Sequence, residues 1–199
     1  MNLILLIILL TISWNKEKTV FNPSKSPVIY LNNPSFEEDP EEALLPSGWN
    51  RCSERSTPDI LPGPFGVELE AVDGETFVGL ITRADGSHEH ILQRLHPRLK
   101  KKECYTTSIY LAHSKTYAGY RKPIHLRVWL GNRKCKQAQL IFESPLIKSN
   151  SWKKYNLEFT PNKNYKYLYL EAWYENGETG RKGNILLDGI QPIRICPRA

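Results

Sequence analysis

Leu168-Tyr169-Leu170-Glu171-Ala172-Trp173 is the stretch that decides how this chain of 199 residues folds. Its aliphatic and larger polar-tipped residues alternate with a period of two. That is the spacing of a β-strand with one face in a core, and a helix cannot use it. Leu168, Leu170 and Ala172 should therefore point inward, and Tyr169, Glu171 and Trp173 should share the opposite face. Leu126-Arg127-Val128-Trp129-Leu130 repeats the pattern, with Leu126, Val128 and Leu130 inward and Arg127 and Trp129 outward. If both segments lie in one sheet, its outer face carries Arg127, Trp129, Tyr169, Glu171 and Trp173.

Further segments of the same kind extend in both directions. Residues 104–113, 139–142, 152–159 and 184–193 are rich in Tyr, Trp, Val, Ile and Leu and are separated by turn clusters. Upstream, 28–31 and 76–82 read as strands, Ala84-Asp85-Gly86-Ser87 as a turn, and 90–99 as a helical turn or a strand ending at Pro97. Residues 57–66 contain Pro58, Pro62 and Pro64 with Gly63 and Gly66, and so cannot form a central strand. With no sustained helical period anywhere, the expectation is an all-β chain, an antiparallel β-sandwich of the jelly-roll type.

Composition agrees with one folded domain, at 40% hydrophobic residues and a formal charge of +6. The cations are scattered in pairs and triplets such as Lys100-Lys101-Lys102 and Lys153-Lys154, as on guarded sheet edges. No zinc finger, helix-turn-helix or recognition-sheet signature accompanies them, so nucleic acid is not the expected partner. The apolar run from Leu3 to Ile12 is about ten residues long, against roughly 20 for a bilayer span. It predicts a signal peptide over 1–15, then a polar tether over 16–27 and the binding domain over 28–199, with no transmembrane span. Export would place the chain in the periplasm, at the cell surface or outside the cell. Cys52, Cys104, Cys135 and Cys196 lack the close spacing of zinc ligands. An exported chain would join them in two disulfides, and three pairings remain open.

Short motifs at the two ends carry a resemblance. Asn33-Pro34-Ser35-Phe36-Glu37 with Gly48-Trp49 stands near the start, and Ile185-Leu186-Leu187-Asp188-Gly189-Ile190 near the end. Together they resemble the galactose-binding-like jelly rolls that serve as carbohydrate-binding modules, over about residues 28–196. The resemblance implies that the two motifs form adjacent strands whose carboxylates, Glu37 and Asp188, share a structural calcium ion. Further oxygen ligands would come from around Asp73-Gly74-Glu75. It also implies structural packing for Trp49 and for Trp152, which opens a W-x-x-Y strand. Thr57-Pro58-Asp59-Ile60-Leu61-Pro62-Gly63 and the residues around Arg83 and Glu89 are similar to a subset of such modules in cell-envelope proteins of gliding-type Gram-negative bacteria.

The outer-face residues suit a sugar. Aromatic rings offer an apolar platform to the C–H face of a pyranose, while Arg127 and Glu171 supply paired hydrogen bonds to hydroxyls. The same face could instead be a second core under a loop, or a protein-interaction face. Tyr117 and Tyr120 are equally open as rim contacts or ordinary loop residues, and Arg83 and Glu89 as an ion pair or ligand contacts. Nothing points firmly to catalysis. There is no GxSxG elbow, and carboxylate pairs such as Glu68 with Glu70, or Asp85 with Glu89, arise by chance among 21 acids. His88-Glu89-His90 would put two imidazoles on one strand face, but beside a polar turn they read as surface residues. The expectation is a non-catalytic carbohydrate-binding module that takes a glycan or polysaccharide on its concave sheet face. A cell-envelope protein-interaction module is the alternative, and a carbohydrate-active enzyme a weaker one.

Overall fold

The computed structural model describes residues 27–175 and 181–197. The expected signal peptide over 1–15 and the expected tether, but for residue 27, lie outside the described residues. The strands are β1 (Asp59–Leu61), β2 (Phe77–Thr82), β3 (His90–Leu99), β4 (Tyr105–Ala112), β5 (Lys122–Pro123), β6 (His125–Gly131), β7 (Gln139–Glu143), β8 (Lys153–Phe159), β9 (Tyr165–Trp173), β10 (Gly183–Asp188) and β11 (Arg194–Ile195). One 3-10 turn, Pro64–Gly66, is the only helical element among the described residues.

These strands make the expected antiparallel sandwich. One sheet has four strands in the order β3-β9-β6-β7, and the other has seven built on β1-β2-β10-β4. β8 pairs with β4 from Tyr105 to Leu111, so β10 and β11 must share the opposite edge of β4, end to end. Between the sheets lies the main core. Leu126, Val128 and Leu130 of β6, and Leu168, Leu170 and Ala172 of β9, enter it as the alternation requires. So do Val78 and Leu80 of β2, and Ile185 and Leu187 of β10.

Every residue of β2 and β10 is buried, because this part of the seven-stranded sheet is covered on its outer face as well. Phe77, Ile81, Leu186, Leu61, Val67 and Tyr117 form a smaller second core there. Trp152 packs edge-on against Phe77 at 5.1 Å and donates its indole N–H to the Glu70 carbonyl. Gly79 is required at this layer: a Cβ would lie 2.8 Å from Leu61 Cδ1 and 3.0 Å from the Tyr117 ring. Tyr117, open from sequence, is thus a core residue.

A buried polar network runs beneath this second core. Glu89 has no solvent exposure and accepts hydrogen bonds from the Thr57 N–H and hydroxyl, the Ile81 N–H and the Arg83 guanidinium. Nearby, Asp59 accepts the Tyr117 hydroxyl and the Ala43 N–H. Arg83 and Glu89 therefore form a buried ion pair.

Three expectations are corrected. Asn33 to Glu37 is a turn, because Pro34 has no N–H to give a ladder and the Asn33 side chain takes the Glu37 N–H at 2.7 Å. The segment 28–31 contributes only an isolated bridge, Ile29 to Ile193, and the last long strand stops at Asp188 before Gly189 at φ 55°. The ends still lie side by side: Ile29 and Ile193 exchange both backbone hydrogen bonds at 2.9 Å, and Ile190 N–H reaches Pro34 O. The cysteines pair as Cys52–Cys135 and Cys104–Cys196.

Removing one partner of a buried ion pair leaves the other charge uncompensated. Glu89→Ala should therefore lower the unfolding free energy by about 3–5 kcal/mol in chemical denaturation. Arg55→Ala, which breaks the exposed pair with Asp85, should fall within the scatter of ordinary surface changes.

Candidate functional site

The outer face of the four-stranded sheet follows from the strand registers. β9 is central, and its residues meet their partners in rows: His125 with Trp173; His90 with Glu171 and Arg127; Leu92 with Tyr169 and Trp129; Arg94 with Tyr167. Arg127, Trp129, Tyr169, Glu171 and Trp173 are thereby brought onto one face of one sheet.

Glu171 is the centre of this face. Its Oε2 accepts the Trp129 indole N–H at 2.8 Å, and its Oε1 accepts Gln137 Nε2 at 3.2 Å and His88 Nε2 at 3.1 Å. Burial pushes the Glu171 carboxyl up, but hydrogen bonds from His88, Gln137 and Trp129 outweigh it and hold it below the ordinary glutamate value. His88 responds in the opposite sense, raised chiefly by its hydrogen bond to Glu171. His90 is lowered by burial, which favours its neutral form. These groups line a cleft of about 240 Å³, walled on one side by the Cys52–Cys135 disulfide.

The aromatic residues around the cleft play unequal parts. Tyr169 is only 1% exposed: its hydroxyl donates to Arg133 O at 2.7 Å and accepts the Lys136 N–H at 3.2 Å. It is a strut beneath the 131–138 turn, and only the edge of its ring borders the cleft. Trp129 and Trp173 remain half-exposed. The Arg127 guanidinium lies 3.3 Å from the centre of the Trp173 ring, while its Nε donates to Glu143 at 2.8 Å. Such stacking fixes the indole and leaves a cationic group beside it.

His88, His90 and Gln137 escaped the sequence analysis as site residues. The signal for the histidines was their spacing of two on a strand. Only the β3–β9 register, which sets His90 opposite Glu171, shows that they face the platform.

At the other end of the molecule, Glu37 and Asp188 hold the two halves of one turn. Asp188 has no solvent exposure and accepts the Val72, Asp73 and Gly189 N–H groups. Glu37 accepts those of Glu75 and Thr76. Burial pushes the Asp188 carboxyl up to about 6, and the nearby Asp73 charge adds to this. Carboxylate oxygens are the donor type that calcium takes, so these residues fit the ion in chemical kind, while in this structure both oxygens of each carboxylate accept backbone N–H groups. Among the described residues, the one cluster of three potential metal ligands within close reach is Cys104, Glu158 and Cys196, whose thiols are spent in a disulfide.

No family model matches the chain, and no curated protein matches its sequence. Solved structures do share its fold. The CBM22-1 xylan-binding domain of Xyn10C from Paenibacillus barcinonensis is similar at a TM-score of 0.54 and 20% identity, over 88% of this chain and 98% of that one. A cyclase from Fischerella sp. TAU is similar at 0.59 and 16% identity, over 87% and 100%. The K1 cleaved adhesin domain of Lys-gingipain from Porphyromonas gingivalis W83 is similar at 0.50 and 13% identity, over 82% and 96%. The chain thus has the jelly-roll fold of carbohydrate-binding modules. The cyclase shows that the same fold also serves an enzyme.

The His88–Glu171 bond should depend on pH. A raised histidine value means a contribution complete below the unfolded value of 6.5 and lost as pH rises through the folded value. A lowered glutamate value means a contribution complete above 4.5 and lost as pH falls. The melting temperature of the wild type should exceed that of His88→Gln by most between these limits, and the margin should narrow toward pH 8. A margin that stays flat from about pH 5 to about pH 8 would show that no charge is shared across the bond.

Proposed function

We propose that this protein is an exported, non-catalytic module that binds a glycan on the outer face of its four-stranded sheet. The observation that carries the reading is the row arrangement itself. Trp129 and Trp173 are half-exposed on either side of a buried, multiply hydrogen-bonded Glu171, next to a cleft lined by His88, His90 and Gln137. Apolar ring faces can stack on pyranose C–H surfaces, and the polar cleft can select hydroxyls. The fold likeness to a xylan-binding domain supports the same reading, and so do two disulfides, which persist in oxidising compartments. On the opposite sheet the second core covers the outer face of β1, β2 and β10, and the part left open on β8 carries Lys154, Asn156 and Glu158 with no tryptophan among them.

The expected role of each residue then differs. Trp173 and Trp129 would stack, Arg127 would hydrogen-bond hydroxyls beside Trp173, and Glu171 would orient Trp129 and border the cleft. Tyr169 would hold the turn that forms the cleft wall. Trp173→Ala should reduce retention on a polysaccharide affinity gel at least tenfold with cooperative unfolding intact. Tyr169→Phe should lose about 1–3 kcal/mol of stability and keep retention, because it removes two hydrogen bonds and no stacking surface. Silence of folded wild-type protein across a broad glycan array would overturn the reading and favour an envelope protein partner, the role for which the adhesin-domain likeness speaks.

A structural calcium ion on Glu37 and Asp188 belongs to the same proposal. It would be held by carboxylate oxygens of the two chain ends and would tie them to the 72–76 turn. It would have no part in the ligand face. Addition of EDTA should lower the melting temperature of wild type and leave Asp188→Asn unmoved. An unchanged wild type would mean that the backbone hydrogen bonds alone close this turn.

A further inference from the structure

On the same sheet, beyond the wall formed by the Cys52–Cys135 disulfide, lies a cluster of positive charge that the reading above leaves unused. On β3, Arg94, His96 and Arg98 are exposed at spacings of two around the register shift between Arg94 and Leu99. Together with Lys166 they line a cleft of about 180 Å³ floored by the buried Leu95. No hydrogen bond or ion pair among the described residues takes up these four side chains. The arginines around the platform are committed elsewhere: Arg51 to Glu54, Arg55 to Asp85, Arg83 to Glu89 and Arg127 to Glu143.

The surroundings sharpen the field. Residues 90–102 and 159–170, which include β3, most of β9 and turn residues beside them, contain seven lysines and arginines and no aspartate or glutamate, with Glu103, Glu158 and Glu171 bounding the two stretches. With these three acids counted, the local excess is still four of the chain's net charge of +6. Guarding a sheet edge needs only scattered charge. Here the charge is gathered around a concavity and left without acidic partners, which is the arrangement that attracts and holds an anion.

Its position is equally specific. Arg94 pairs with Tyr167 two rows beyond His90 and Glu171, on the same outer face. Four residues of strand place those rows roughly 13 Å apart. Between them the 131–138 turn and the Cys52–Cys135 disulfide cover Leu92 and Tyr169, so a ligand that leaves Trp173 and Glu171 must pass over this wall to reach Arg94 and the cleft.

We propose that the ligand is an acidic polysaccharide, whose carboxylate or sulfate groups are taken up by Arg94, Arg98 and Lys166 while its sugar rings lie over the platform. The inference rests on the glycan reading of that face. It names the chemical class: a polymer whose sugars carry oxyanions. Guanidinium groups bind such oxyanions in a bidentate manner, and the lysine adds a point charge.

Affinity electrophoresis of the full chain at about 0.15 M ionic strength, where the screening length is about 8 Å, tests this with paired polymers. These are polygalacturonate against neutral galactan, dextran sulfate against dextran, and single-stranded DNA as an anion without the sugar platform's target. Wild type should bind one acidic polymer at least tenfold more tightly than its neutral counterpart. Arg94→Gln/Arg98→Gln should abolish that preference, whereas Lys153→Gln/Lys154→Gln, an equal loss of charge on the other sheet, should keep it. Polygalacturonate alone would assign a carboxylate, and dextran sulfate alone a sulfate. Equal binding of neutral and acidic polymers, or equal loss in the two double variants, would overturn the inference and leave the glycan reading standing. Binding of DNA as tight as that of the acidic polymers would overturn it in favour of a general polyanion site. Retention by none of the polymers would overturn both.

Discussion

The register between β6 and β9 is the constraint on which the core and the candidate site both depend. His125 to Gly131 lies against Trp173 to Tyr167 without interruption. Side chains alternate strictly across this pairing, so a slip of one residue would exchange the two faces. Leu126, Val128, Leu168 and Leu170 would then leave the core, and Arg127 and Glu171 would enter it. Burial of the aliphatic set therefore specifies the outer face of this sheet as firmly as it specifies the core. Gly131 supports the end of this register, since a Cβ there would stand 2.3 Å from Lys136 O and 2.8 Å from the Tyr169 ring.

Around that register the molecule treats its two outer surfaces differently. The seven-stranded sheet is covered over β1, β2 and β10 by the second core and by the Glu89 and Asp59 networks, and buried polar groups of this kind are tolerable only when satisfied. The four-stranded sheet leaves Arg94, Arg127, Trp129, Tyr167 and Trp173 at least partly accessible on its outer face, and the loop bearing Cys52 reaches across one part of it to Cys135. The disulfide thus turns a flat sheet face into a cleft with a wall. Tyr169 gives up exposure to support that wall, and Glu171 becomes buried enough for its hydrogen bonds to Trp129, Gln137 and His88 to matter. Beyond the wall, Arg94 and Tyr167 carry the same face onward into the cationic cleft.

Most of the fold class was legible in the chain. The six-residue alternation of 168–173 and its counterpart in 126–130 assigned inward and outward sets that the structure reproduces. Failures came where the backbone departs from regular pairing. Asn33 to Glu37 looks strand-like by apolar content, yet Pro34 and the Asn33 side chain make it a turn. Tyr117 sits in a loop by sequence, yet the outer layer of the large sheet swallows it. Trp152, read as core, is half-buried and ties the 70s loop to that same layer.

The sequence by itself determined the β-class, the faces of the central strands and the residues of the platform, because a period of two is a local property of the backbone. Only the tertiary structure decided which cysteines pair, which outer face is covered, that His88 and His90 stand against Glu171, and that Arg94, Arg98 and Lys166 gather in one cleft. Those facts depend on contacts between residues tens of positions apart, such as Cys52 with Cys135 and His88 with Glu171. Alternation along one strand says which way a side chain points. The neighbour it meets there is chosen by the packing of the whole sandwich.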